Sequence, residues 1–186
     1  MRHSFRTIST TVGIVGALLL GISPTSAGAA LARPAPAPPP APAPVPAPAP
    51  AGGEAISRNT SSPENSRSLS AVCYFETRGD YVHVSSSAFE ASGHGWWING
   101  NCNATLAIVT VQLQQYYADG SWRNAGTVGS ATVRSGGGAG NRATGRAGCN
   151  SSSLTGWRSV IDVDLVGLAD DPGKLVTPGQ NIYCRR

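Results

Sequence analysis

The stretch from Thr105 to Trp122 reads TLAIVTVQLQQYYADGSW, and it decides the fold. Apolar residues occupy every second position in its first half: Ala107, Val109, Val111 and Leu113. Because successive side chains of a strand point to opposite faces, this alternation predicts a strand with one buried and one mostly solvated face. Asp119-Gly120 then supplies the residues that a tight hairpin turn needs, and Trp122 begins the returning strand. The stretch therefore predicts the seed of an antiparallel sheet.

The rest of the domain shows the same kind of pattern in shorter pieces. The alternation returns from Trp157 to Leu165, and we expect this second strand to pack its apolar face toward that of Ala107 to Leu113. Thr77 to Asp80 is predicted to be a turn, and Gly93 to Asn101 a glycine-rich loop. No window has a helical period of useful length. The sequence predicts an all-β fold, an antiparallel, immunoglobulin-like β-sandwich over residues 71–186 behind a disordered N-terminal tail.

The N-terminal residues have the order of a secretory signal peptide. Arg2, His3 and Arg6 precede an apolar run of 11 residues, Val12 to Ile22, and small residues follow. This order predicts a leader over residues 1–29, with cleavage as late as residue 32. The apolar run is shorter than the ~20 residues of a membrane span, and no second apolar segment follows. We therefore expect a secreted, extracellular protein with no stable membrane anchor.

A proline- and alanine-rich linker is predicted over residues 33–51. It holds 10 of the 14 prolines of the chain. Proline fixes φ and removes a backbone donor, which favours a polyproline-II spacer. Two roles remain open for it: an inert solvated tail, or a spacer that holds the domain off a surface. Residues 52–70 are polar and lack hydrophobic periodicity, so we predict that they are disordered.

The four cysteines, Cys73, Cys102, Cys149 and Cys184, indicate disulfides, because their number is even and the domain is small and exported. No two lie two to four residues apart, as the ligands of cysteine-rich zinc sites do, so we expect no metal and no cofactor. Four cysteines allow three pairings. We predict Cys73–Cys102 and Cys149–Cys184, since each pair then brackets one half of the domain and closes the shorter loops.

The charge of the domain argues against nucleic acid as a partner. From Cys73 onward nine Arg/Lys and eight Asp/Glu leave a net charge of about +1, although the whole chain carries +4. Binding to nucleic acid or to an anionic membrane calls for concentrated positive charge. The oligomeric state is left open.

Four segments carry a resemblance to known sequences: Val111 to Gln114, Asp119 to Trp122, the glycine loop through Asn141 to Thr144, and Trp157 to Asp164. Together, within Ala104 to Cys184, they resemble small secreted proteins of actinomycetes, a group with no established activity. The resemblance implies export and a β-rich, disulfide-bonded domain. It supplies no catalytic residues.

Catalytic machinery is sparse in this sequence. The predicted domain has two histidines, His83 and His94, and no Gly-x-Ser-x-Gly motif. We therefore predict a non-catalytic binding or structural module. The alternative is a glycosidase-like secreted hydrolase that uses Asp162 and Asp164, which share a strand face ~6.5–7 Å apart. Catalytic carboxylates should line a concave pocket, and at least one should have a raised pKa.

The candidate binding residues are aromatic or lie in the predicted glycine loop: Trp96, Trp97, His94 and Tyr116. Adjacent indoles in an extended backbone face opposite ways, so one of the two tryptophans should be exposed. Exposed aromatics are common anchors, and we expect an extracellular polysaccharide or protein as the partner. Two other readings stay open: that His94 sits in a mobile surface loop, and that both tryptophans close the end of the sandwich.

Overall fold

The structure is a computed structural model that describes residues 37–63, 72–170 and 172–186. The chain divides into two units. The first, Met1–Ala37, is outside the described residues except for Ala37, and so is the predicted leader. The second, Pro38–Arg186, contains every described strand. None of the described residues forms a helix long and apolar enough to cross a membrane.

The described residues form eleven strands. In chain order these are β1 (Glu54–Pro63), β2 (Cys73–Asp80), β3 (His83–Val84), β4 (Glu90–Asn99), β5 (Ala107–Tyr116), β6 (Trp122–Val133), β7 (Ala143–Gly148), β8 (Ser151–Leu165), β9 (Leu168–Asp170), β10 (Leu175–Val176) and β11 (Gln180–Arg185).

The strands follow one hydrogen-bonded path, β10-β8-β5-β6-β7-β4-β2-β1-β9, with β11 paired to β8 and β3 paired to β4. All of these pairings are antiparallel. The path curls back on itself, because a Cβ atom on Gly95 of β4 would lie 2.7 Å from Ile161 of β8, a strand far along the path. The all-β, antiparallel, disulfide-stapled fold is thus confirmed as a curled sheet, or half-barrel. An immunoglobulin-like sandwich is not confirmed.

The strand predicted from Ala107 is β5, and its four apolar residues of one parity have no exposed surface. The second predicted strand lies within β8, where Trp157 and Ile161 are buried. The expected relation between the two strands needs correction. Val111 pairs with Ile161, so β8 is the hydrogen-bonded neighbour of β5, and their apolar faces lie side by side.

The predicted glycine loop from Gly93 to Asn101 is also corrected, because most of it is β4. A Cβ atom on Gly93 would overlap Oγ of Ser159, and one on Gly79 of β2 would overlap Cδ1 of Ile161. Glycine is needed here because the curled sheet brings side chains of β8 against the backbones of β2 and β4. The predicted turn from Thr77 to Asp80 is likewise the end of a strand, β2.

The described part of the proline- and alanine-rich segment, residues 38–51, runs along the domain instead of standing free as a spacer. The alanines between the prolines keep their N–H groups, and these make regular backbone bonds. Ala43 donates to Tyr116 at 2.9 Å, and Ala49 donates to Gly179 at 2.9 Å. Val45 between them is buried, and Asn181 bonds both its N–H and its carbonyl. These bonds hold the segment in place, although it has no hydrophobic periodicity of its own.

The structure also differs from the prediction of disorder over residues 52–70 and of a domain that starts at residue 71. Residues 54–63 form β1, which pairs with β2 from Glu54 opposite Asp80 to Ser61 opposite Cys73. Ladder hydrogen bonds and the ion pair of Glu54 with Arg78 hold a segment whose own apolar content is low. Residues 64–71 are outside the described residues.

The structure contains two disulfides, and their pairing is the predicted one. Cys73 at the start of β2 is joined to Cys102, and Cys149 is joined to Cys184 of β11. Both join segments that are distant in the chain, so they restrict the unfolded ensemble.

Candidate functional site

The two adjacent tryptophans have different environments, as their positions in an extended strand require. Trp97 has no exposed surface, and its indole N–H donates to the carbonyl of Val133 at 3.1 Å. Trp96 is half-buried and lies against Gly137. Trp97 is therefore a core residue with no surface to offer a ligand, and the predicted role in binding does not fit it.

Tyr116 and His94 lie in different surroundings from Trp96. Tyr116 ends β5 and packs beside Trp122, with ring centroids 5.1 Å apart. His94 is 7% exposed and sits within β4, so the reading as a mobile surface loop is wrong. The structure does not bring the predicted binding residues together into one site.

His94 instead belongs to a cluster with Asp80 and His83. Nδ1 of His94 lies 2.5 Å from Oδ2 of Asp80, and Nδ1 of His83 lies 4.0 Å from the same oxygen. The two imidazole rings stack with centroids 5.3 Å apart. The backbone N–H of His94 donates to Oδ1 of Asp80 at 2.6 Å, which fixes the carboxylate. We call these three residues the Asp–His cluster.

The register of the strands explains the cluster. Gly79 pairs with Gly95, so the next residue of β2, Asp80, comes opposite His94. His83 pairs with Ser92, two residues before His94 on the same face of β4. Asp80 and His83 also line a cavity of about 340 Å³, whose lining includes residues 51–53 and 180–182.

A second concave feature lies on the solvated face of β5, where neighbouring side chains of β6 and β8 also point. It is a depression of about 350 Å³, lined by Thr110, Gln112, Gln114, Asn124, Val128, Val160, Asp162 and Lys174. We call it the outer depression.

A bulge in β6 shapes the outer depression. The pairing of β6 with β5 shifts register between Val111 and Leu113, and Gly126 has φ of 72° there. Such a bulge bends a strand away from its neighbour. The amide nitrogen of Gln112 donates to the carbonyl of Ala125 at 3.1 Å, beside this bulge. The side chain of Gln112 is thereby held at the floor of the depression.

Polar contacts order the two ends of the outer depression. At one end, Gln114 donates to Asn124 at 2.9 Å and accepts from Nε of Arg158 at 2.8 Å. The guanidinium of Arg158 also lies 4.4 Å from the ring centre of Trp122. At the other end, Nζ of Lys174 lies 2.7 Å from Oδ2 of Asp162. Contacts within the protein therefore hold both ends of the depression in place.

The carboxylate pair of the hydrolase alternative is divided by this geometry. Asp162 lines the outer depression and is paired with Lys174, and the hydrogen bond to Asp162 raises the pKa of Lys174. Asp164 is exposed and does not line it. The protein around Asp164 still desolvates its carboxylate in part, and this desolvation, followed by the neighbouring charge of Asp162, raises the pKa of Asp164. One carboxylate thus has the expected place, and the other has the expected pKa shift.

Sequence reasoning missed several residues of these two features. Asp80 looks like a turn residue, and Lys174 stands in a Pro/Gly-rich loop with no pattern around it. The spacing Asp80-x-x-His83 is a weak local signal for the cluster. The alternation of β5 points to the outer depression, because Thr110, Gln112 and Gln114 are its polar parity.

Comparison with protein-family models, with curated proteins and with solved structures finds no match for this chain. The chemistry of both features therefore rests on their own residues.

Proposed function

We propose that this protein is an exported, non-catalytic binding module, and that its outer depression holds part of a neutral polysaccharide. The observation that carries the proposal is the lining of that depression: hydroxyl, amide, carboxylate and ammonium groups around two valines. Its volume is in the range of small-molecule sites, which is ~300–1,000 Å³.

The polar groups of the lining match the hydroxyls of a sugar. A sugar hydroxyl both donates and accepts hydrogen bonds, and an amide side chain such as that of Gln112 can meet it in either role. Oε1 of Gln112 and the hydroxyl of Thr110 make no hydrogen bond with another described residue. Val128 is 55% exposed, and together with Val160 it offers apolar contact to the C–H face of a pyranose ring.

The charges of the lining favour a neutral ligand. Asp162 and Lys174 neutralise each other at 2.7 Å, so the depression presents a polar surface without a net charge. An anionic glycan would have to break this pair to reach the lysine. A neutral glycan can bridge both members while they stay paired.

Export is supported by the sequence and by the disulfides. The leader pattern over residues 1–29 directs secretion. Two disulfides fit an oxidising, extracellular compartment. A module in that compartment meets cell-wall and environmental polysaccharides.

A panel of soluble neutral polysaccharides in affinity electrophoresis tests the proposal. We expect retardation by at least one member, weakened up to about tenfold by Thr110→Val, because a lost hydrogen bond is worth ~0.5–1.5 kcal/mol. Thr132→Val is the matched control, since Thr132 is exposed on β6 and does not line the depression. Retardation by no member, or equal loss in both variants, would argue against this site.

The same panel tests the hydrolase alternative. Release of new reducing ends that is abolished by Asp162→Asn would replace the binding module with an enzyme. Binding without release of reducing ends supports the module.

A further inference from the structure

We propose that the Asp–His cluster of Asp80, His83 and His94 is a binding site for a divalent transition-metal ion, with zinc as the first candidate. The site is separate from the outer depression and does not depend on the polysaccharide proposal. The spacing of the cysteines excludes a cysteine-based zinc site, but two imidazoles and a carboxylate are a different donor set. Zinc accepts such nitrogen and oxygen ligands, and imidazole also suits copper and nickel.

The ligand atoms already converge. One nitrogen from each histidine and one oxygen from Asp80 lie within 4.8 Å of one another. In a tetrahedral zinc site, bonds of ~2.0–2.2 Å place neighbouring ligand atoms about 3.3 Å apart. The 2.5 Å and 4.0 Å distances from Oδ2 of Asp80 lie on either side of that value. The two histidine nitrogens are at most 4.8 Å apart. A metal ion would therefore need the distances between ligand atoms to change by up to about 1.5 Å, within the freedom of side-chain torsions.

The carboxylate is oriented for this role by the backbone. Oδ1 of Asp80 accepts the N–H of His94 at 2.6 Å, which leaves Oδ2 facing both imidazoles. Groups that orient metal ligands in this way are a regular part of metal sites. The same contact ties the backbone of His94 in β4 to the end of β2.

The cluster also has a path for an ion. Asp80 and His83 line the cavity of about 340 Å³, and the side chain of His83 is 46% exposed. An ion can therefore arrive from solvent without unfolding β4. Three protein ligands leave a coordination position for water or another small ligand, as in open zinc sites.

Zinc titration of the untagged chain, by calorimetry and by histidine-selective ¹⁵N NMR, tests the site. The sequence has three histidines, His3, His83 and His94, so each imidazole can be followed. We expect one zinc ion per chain, with Nδ1 resonances of His83 and His94 shifting together. Zinc should also raise the melting temperature, because it binds the folded state. Calcium should produce neither effect, since it prefers oxygen ligands.

Substitutions in the cluster show whether zinc binds at these three residues or elsewhere on the protein. His83→Gln should weaken zinc binding about 100-fold or more, because even residues that only orient metal ligands contribute ~10–100-fold. His83 is largely exposed, so this variant should keep its fold. Asp80→Asn, which keeps an oxygen for the N–H of His94, should weaken binding as well. Asp164→Asn, which removes an exposed carboxylate outside the cluster, is the matched control and should bind zinc like the wild type.

Two outcomes would overturn the proposal. One is the absence of both heat and resonance shifts with zinc in excess; the cluster would then serve only as the hydrogen bond that ties β2 to β4. The other is zinc binding that His83→Gln leaves unchanged, which would place the ion elsewhere. Neither outcome bears on the polysaccharide site, whose test uses other residues.

Discussion

Nε of Arg158 donates a hydrogen bond of 2.8 Å to Oε1 of Gln114, across the neighbouring strands β8 and β5. The same guanidinium lies over the ring of Trp122, 4.4 Å from its centre. One planar cation thus joins three strands at the edge of the outer depression. Lysine at this position would keep the charge but lose the planar group that bonds and stacks at once.

Arg158→Lys should lower the free energy of unfolding by about 1 kcal/mol, the size of one cation–π contact or one hydrogen bond. Chemical denaturation measures this. Arg134→Lys, at an exposed position directly after the end of β6, is the matched control and should stay within ~0.5 kcal/mol of the wild type. Equal effects of the two substitutions would show that the Arg158 contacts contribute nothing to stability.

Gly79→Ala should destabilise the protein by ~1–3 kcal/mol, because its Cβ would overlap Cδ1 of Ile161 where the curled sheet closes. Ile161→Val removes that carbon and alone should cost ~0.5–1.5 kcal/mol. The double variant should lose less stability than the sum of the losses in the two single variants, because the overlapping carbon is gone. A double-mutant cycle by chemical denaturation measures this difference.

Gly140→Ala controls for the loss of glycine itself, since a Cβ there meets nothing within 4 Å. Its effect should be small. Strict additivity of Gly79→Ala and Ile161→Val would contradict the close approach of β2 and β8.

Val45→Asp should lower the free energy of unfolding by about 2 kcal/mol, because it places a charge where a valine is buried against the domain. Ala47→Asp, two residues on and exposed, should have little effect. Thermal melting compares the two. If both variants melt like the wild type, the proline- and alanine-rich segment does not dock in solution.

The pH dependence of stability should reveal the contribution of the Asp119 carboxylate. The hydroxyl of Ser121, then its backbone N–H, then Arg123 hold the pKa of Asp119 at about 2, below its ordinary 3.8. The folded state therefore favours the charged carboxylate, and this contribution is complete above pH 3.8 and is lost as the pH falls toward about 2. Asp119→Asn should melt lower than the wild type at neutral pH, and the difference should vanish at the acid end.

Asp164→Asn is the control, because it should change the melting temperature in the opposite direction. Partial desolvation and the charge of Asp162 raise the pKa of Asp164. Its charge therefore destabilises the folded state at neutral pH, and removing that charge should raise the melting temperature. At a pH below 3.8 the melting temperatures of this variant and of the wild type should converge. Melting curves across this pH range that show the same sign for both variants would contradict these assignments.

The parts of the fold that could be predicted are those set by local pattern. The alternation of Ala107 to Leu113 depends only on neighbouring residues, and β5 and its hairpin follow from it. β4 could not be predicted in this way. Its glycines read locally as a loop, and their reason is the approach of Ser159 and Ile161, which lie more than sixty residues away in the sequence. Docking of the proline- and alanine-rich segment likewise depends on distant partners such as Asn181.

The candidate sites show the same division. The polar parity of β5 gives one wall of the outer depression, but the ion pair of Asp162 with Lys174 joins a strand to a loop with no pattern of its own. The Asp–His cluster needs the register of β2 and β3 on β4. That register is set by hydrogen bonding along whole strands, and the spacing of Asp80 and His83 is only a weak local signal for it.

Protection of Lys174 by a bound polysaccharide is the most direct test of the binding proposal. Lys174 is the only lysine in the sequence, so an amine-reactive reagent marks it and the N-terminal amine alone. With a polysaccharide that the protein retains, mass spectrometry should find labelling of Lys174 strongly reduced and labelling of the N-terminal amine unchanged. Equal labelling of Lys174 with and without that saturating polysaccharide would contradict the outer depression as the binding site.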